Sequence, residues 1–173
     1  LGRLYQQRFY TNSDFAVALW EGESGDELLL GVDTPMLRSE FASFTICLRG
    51  RLRMEKPSGA IGWAYGPGDH SDNGGDFDEV GVYKWTAVEP TTQELCFSRA
   101  DAVGKETDEV FQRAIHVVDT GAVVPLGIGF AVVVRGSFET SKGVLRAPHF
   151  CVLKQPTTFT AAENNSRVIA VFK

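Results

Sequence analysis

FAVVVRGSFETSKGVLRAPHFCVLKQPTTFTAAENNSRVIAVF, residues Phe130–Phe172, decides how this chain folds. Short runs rich in β-branched and aromatic residues follow one another: Phe130–Val134, Ser137–Thr140, Val144–Arg146, Phe150–Lys154, Thr157–Ala161 and Arg167–Phe172. ETSKG and ENNS separate some of them, and both are turn-forming stretches. Runs of this kind read as strands, and many short strands at this spacing predict a sandwich or a closed barrel. Working outward, the same pattern gives strands at Phe15–Trp20, Glu27–Val32, Phe44–Leu48, Arg51–Glu55, Ala60–Tyr65, Val80–Val88, Glu94–Ser98 and Ala114–Val118. GESGD, KPSG, GPGD and DNGGD punctuate this half. Glu106–Arg113 (ETDEVFQR) is the one helical candidate, with Thr107 as its N-cap, and polar Ala100–Glu109 is the candidate linker.

Composition narrows the function classes. The chain has 173 residues, 43% of them hydrophobic, so a packed core is within reach. Its formal net charge of -5 argues against nucleic acid and anionic membranes, which both demand a basic surface. No apolar run approaches the ~20 residues that span a bilayer. The opening LGRLYQQRFY shows no apolar leader, so a signal peptide is expected to be absent or already removed. Cys47, Cys96 and Cys151 are odd in number, widely spaced and set in apolar runs. That pattern predicts reduced, buried thiols and a cytoplasmic setting.

The chain also resembles itself. FASFTICLRG (Phe41–Gly50) matches GIGFAVVVRG (Gly127–Gly136), and KWTAVEPTTQELCF (Lys84–Phe97) matches TFTAAENNSRVIAV (Thr158–Val171) without a gap. Thr86, Ala87 and Glu89 then face Thr160, Ala161 and Glu163, and Trp85 faces Phe159. Cys47 faces Val133 and Cys96 faces Ala170, which fits core positions for both cysteines. Two copies of one supersecondary unit are expected, roughly 1–104 and 105–173, packed through a shared sheet face. The first copy carries an acidic insertion, Gly66–Gly81. One jelly roll with extra N-terminal strands is the alternative.

On these residues the chain resembles the cupin superfamily, the double-stranded β-helix or jelly-roll proteins. VVVRGSFE (Val132–Glu139) looks like the family's Gly-turned strand pair, and Gly143–Asn164 looks like the strands and Pro-led turn after it. Thr45–Glu55 (TICLRGRLRME) and AYGPGDH (Ala64–His70) resemble the same features in the first copy. The resemblance implies an all-β, cupin-like jelly-roll barrel in a duplicated, bicupin-like arrangement. Its metal-ligand positions fall on Leu37, Ser39 and Ser43 in the first copy and on Gly127 and Gly129 in the second. The later histidine falls on Thr86 and Thr160. None of these is His or Glu, so no metal is expected there.

Other residues are candidates for binding. Arg49 and Arg135 precede the paired glycines and could point into a barrel to hold an anion, or could pair with Glu89 and Glu163. Trp85, Phe159, Thr86, Thr160 and His149 could line a pocket for a small organic acid or a sugar derivative. His70, His116 and His149 could share a metal, against the plainer reading of separate histidines. Asp69, His70, Asp72, Asp76 and Asp78 form an acidic loop that could hold calcium or be a solvated turn. Cys151 lies two residues from His149, the pairing a thiol nucleophile would use.

The reading that results is a metal-free binding module for a small molecule or a protein. The alternatives are an isomerase or epimerase working without the metal triad, or a structural β-scaffold. A homodimer is expected through the terminal strand Arg167–Phe172, whose alternating apolar residues read as an open edge.

Overall fold

A computed structural model describes residues 5–11, 15–32, 43–72, 78–99 and 112–172. Every regular element among them is a β-strand. The chain divides into two compact units, Leu1–Val110 and Phe111–Lys173. The expected division at 104/105, the linker Ala100–Glu109 and most of the helical candidate lie outside the described residues. Gln112 and Arg113, the described part in or beside that candidate, belong to a strand.

The first unit holds β1 (Tyr5–Thr11), β2 (Phe15–Gly22), β3 (Glu27–Val32), β4 (Ser43–Arg49), β5 (Leu52–Glu55), β6 (Ile61–Tyr65), β7 (His70–Asp72), β8 (Gly81–Ala87) and β9 (Thr92–Arg99). They form an antiparallel sheet ordered β1-β2-β9-β4-β7 and another ordered β3-β8-β5-β6. The second unit holds β10 (Gln112–Val118), β11 (Val123–Leu126), β12 (Gly129–Arg135), β13 (Ser137–Thr140), β14 (Gly143–Arg146), β15 (His149–Leu153), β16 (Thr157–Ala161) and β17 (Ser166–Phe172). Its sheets run β10-β17-β12-β15 and β11-β16-β13-β14. With β1 set aside, the second pair of sheets repeats the strand order of the first, β2 standing for β10, β3 for β11, and so on to β9 for β17.

Alternation decides what goes inside each barrel, because successive side chains of a strand point to opposite faces. In the second unit Ala131, Val133, Val168 and Ala170 of one sheet meet Val124, Leu126, Phe138, Phe159 and Ala161 of the other. In the first unit Cys47 meets Leu52 and Tyr65 across the sheets. Met54 and Tyr83 pack with Leu30, Trp63 and Trp85 beside them.

Each unit turns from one sheet to the other at an Arg-Gly step. Gly50 and Gly136 have φ of +66° and +70°, a region costly for any residue with a Cβ. A Cβ at Gly50 would overlap Thr92, and one at Gly136 would overlap Ser166. Those hydroxyls clamp the corner. Thr92 Oγ1 donates to Glu89 O at 2.7 Å and accepts from Arg51 N at 3.3 Å. Ser166 Oγ donates to Glu163 O at 2.8 Å and accepts from Ser137 N at 3.3 Å.

One expectation is corrected here. Residues Arg167–Phe172 are not an open edge: β17 pairs with β10 on one side and with β12 on the other. Val168 is accordingly fully buried. Three strands escaped the sequence reading. β1 is rich in polar residues, β7 lies inside the acidic insertion, and Pro125 sits within β11.

Candidate functional site

In the second unit β15 closes one sheet and β14 closes the other. Between them lies a cavity of about 560 Å³. Leu145, Cys151, Leu153 and Phe159 line its apolar part, while Lys142, His149, Lys154 and Gln155 supply its polar groups. His149 and Cys151 reach it because they share the inward face of β15. Phe150 points the other way and stacks on Phe130 with ring centroids 5.7 Å apart. The pocket candidates His149 and Phe159 are thus brought together.

The other candidates are not. Trp85 lies in the first unit, half-buried beside Met54 and Tyr83. Thr86 and Thr160 lie on the other face of their strands. Tyr83, Trp85 and Ala87, like Phe159 and Ala161, face inward, so strand alternation turns both threonines outward. Thr86 sits opposite Arg53 in the register, and its buried hydroxyl has no hydrogen-bond partner among the described residues.

Arg49 and Arg135 are exposed, each at a bulge beside its glycine, so neither points into a barrel. Arg135 donates to Asn165 O at 2.8 Å and to Asn165 Oδ1 at 2.6 Å. The acids expected to hold them take other cations. Arg51 pairs with Glu89 and Arg146 with Glu163, both at 3.4 Å. These pairs are half-exposed or more, so each contributes about 0–1 kcal/mol.

The histidines do not converge. His70 lies in the first unit, its ring 5.5 Å from that of Phe44. His116 and His149 are joined in register through Val168 and Val133, three strand spacings or ~14 Å apart. They cannot share a metal ion. In the acidic loop, Asp69 accepts from Gly66 N at 2.9 Å. Asp78 instead takes Lys56 Nζ at 2.8 Å, which holds its carboxyl below the usual range. Neighbouring Glu79 takes Ser58 N at 2.9 Å. Asp76 and the Asp72 side chain lie outside the described residues, as do Leu37, Ser39 and the Ser43 side chain. No cluster of three potential metal ligands occurs among the described residues.

Burial raises the thiol pKa of Cys151, and that of Cys47 is pushed up to about 12 by burial and by the nearby Glu94 carboxyl. For Cys151 the shift works against the thiolate that a nucleophile paired with His149 would need.

Sequence reading missed one group inside the first barrel. Glu94 of β9 is 7% exposed, and it is hydrogen-bonded by the Tyr65 hydroxyl and by Thr45. Thr45 Oγ1 also lies 3.2 Å from Tyr65 Oη, closing a triangle. Burial pushes the Glu94 carboxyl up to about 8.

Two facing sheets that exchange strands at each crossing define a double-stranded β-helix, and each unit has that build. The chain has the cupin fold. It superposes on a Cupin 2 conserved barrel domain protein from Leptotrichia buccalis with TM-score 0.61 and 10% identity, covering 98% of this chain and 88% of that one. AerE from Microcystis aeruginosa gives TM-score 0.56 at 11% identity, over 99% of this chain and 93% of that one. An E162A mutant of Bacillus subtilis oxalate decarboxylase OxdC gives 0.51 at 8% identity, over 100% and 74%. No protein-family model and no curated protein sequence matches the chain. No helix among the described residues is long and apolar enough to cross a membrane.

Proposed function

We propose that the second unit is a small-molecule binding module that takes a small organic acid in the cavity between β14 and β15. The cavity carries this reading. Its volume falls in the range of ligand pockets, ~300–1,000 Å³, and its walls are mostly apolar. Lys142, Lys154 and His149 supply donors for a carboxylate, and Phe159 with Leu153 covers an apolar body. Benzoate is a suitable probe, with benzyl alcohol as its uncharged counterpart. Titration by NMR is expected to move the resonances of His149 and Phe159 with benzoate alone. Lys142→Glu with Lys154→Glu is expected to weaken benzoate at least tenfold. Benzoate shifts elsewhere, or equal affinity in the double variant, would overturn the assignment.

A second reading is an isomerase or epimerase that works without a metal. The His149 imidazole facing the cavity favours it. Turnover of a bound acid that His149→Ala abolishes, with binding retained, would support it over simple binding.

The shared strand order and the paired Arg-Gly corners support a duplicated chain, with copies falling roughly at 1–104 and 105–173. A homodimer is proposed through β10, which ends its sheet and leaves Ile115 and Val117 exposed. Light scattering tests it: a mass near 18.9 kDa rejects the dimer.

A further inference from the structure

The two barrels fill the same three inward positions with opposite chemistry. Glu94 opposes Cys47 as Val168 opposes Val133. Thr45 opposes Cys96 as Ala131 opposes Ala170. Tyr65 opposes Leu52 as Leu145 opposes Phe138. The triad Glu94–Tyr65–Thr45 of the first barrel is therefore Val168–Leu145–Ala131 in the second. The fold closes with alkyl groups at these places, so a buried carboxyl is no requirement of the barrel. Burying one is costly in general.

We propose that the interior of the first barrel is a binding site for an uncharged, planar carbonyl compound, with Glu94 as the hydrogen-bond donor at its base. Three observations carry this. First, the triad has three hydrogen bonds to fill. Tyr65 and Thr45 bring one hydrogen each, so the triangle is complete only when Glu94 is protonated. A carbonyl oxygen entering the site accepts one of these hydrogens, and Thr45 gives up one of its bonds within the triad. Second, aromatic rings lie beside the triad. Trp63 lies 4.6 Å from Tyr65 and 6.1 Å from Trp85, centroid to centroid. Both tryptophans pack beside the core of this barrel and are only half-buried. Flat aromatic faces suit a planar ligand.

Third, the charge balance excludes ions. Among the described residues, the titratable groups facing Glu94 are Tyr65 on β6 and Cys47 on β4, and its inward neighbour on β2 is Trp20. No cation is present among them to hold an anion. A ligand cation would require Glu94 to ionise where burial holds its proton. Polar recognition there falls to neutral groups. The cavity in the second unit, with its two lysines, differs in kind.

Benzamide, benzylamine and benzoate are the probes: one body with a neutral, a cationic and an anionic head. Trp20, Trp63 and Trp85 all lie in the first unit and report by fluorescence. Benzamide is expected to give a saturable change at pH 6–7 that weakens tenfold per pH unit above about 8, as Glu94 loses its proton. Glu94→Gln keeps a neutral donor and is expected to retain binding without that pH dependence. Glu94→Val copies the residue of the second barrel and is expected to lose binding at least tenfold. Benzoate and benzylamine are expected to leave the fluorescence unchanged. Non-saturating benzamide, a wild-type affinity that is flat from pH 6 to 9.5, or benzylamine binding that strengthens with pH would overturn the proposal. The wild-type pH profile decides even if Glu94→Val fails to fold.

Discussion

Replacing Glu94 with Gln should remove most of the pH dependence of the first unit's stability between pH 4.5 and about 8. The carboxyl takes up its proton near 4.5 when unfolded and near 8 when folded, because the barrel interior disfavours its charge. Between those values the folded chain holds a proton that the unfolded chain has released. Stability from this group is therefore fully present below pH 4.5 and is lost as pH rises toward 8. The slope is about 1.4 kcal/mol per pH unit, which makes about 5 kcal/mol across the whole interval. That compares with a total of about 5–15 kcal/mol for an ordinary domain. The thiol of Cys47, near 12, stays protonated throughout this interval. Urea unfolding followed by tryptophan fluorescence at pH 5, 7 and 9 measures the effect. The wild-type midpoint should fall steeply with pH while the Gln variant's changes little, leaving the variant the more stable protein at pH 9. Parallel pH profiles for the two proteins would refute the argument, since Glu94 would then titrate as it does when unfolded.

Further outcomes follow from packing and from the Arg-Gly corner. Phe138→Ala empties the centre of the second barrel, where the ring is fully buried against Phe159, and should cost about 3–5 kcal/mol by thermal unfolding. Gly136→Ala should cost more than about 1 kcal/mol, because the left-handed backbone and the overlap with Ser166 act together. Gly121→Ala, with a φ of +84° but open space, should cost less than Gly136→Ala in the same denaturant titration. Ser166→Ala removes the hydroxyl that clamps the Arg-Gly corner and should cost about 1–3 kcal/mol, which Ser166→Thr should largely restore, since Thr92 does the same work in the first barrel.

The all-β build was legible because alternation, β-branched runs and turn residues are local properties. Ser137–Thr140 and Thr157–Ala161 can be bounded to the residue from pattern alone, and both are strands with those limits. The matched Arg-Gly steps were legible for the same reason, a sharp corner needing glycine. β11 was not legible, because Pro125 argues against a strand unless its partners are known; it lies at the end of its sheet, where a missing donor is tolerated.

The sites divide in the same way. Sequence placed His149 and Phe159 among the candidates, but only the closing of β15 against β14 puts them around one cavity. Thr86 and Thr160 stand out only by position within a motif, and strand alternation turns them outward. Arg49 and Arg135 stand out by charge, and the bulge beside each glycine leaves them in solvent. Glu94 left a trace in the sequence: it is a carboxylate at a place where its counterpart is Val168. Nothing local distinguishes it from a solvated acid. Its burial, its protonation and its bonds to Tyr65 and Thr45 are set by residues 29 and 49 positions away in the chain. Local pattern determined that this protein is built of strands and where its corners fall. Only the facing of one sheet upon another decided which side chains lost their water, and that loss is what turns a common residue into a site.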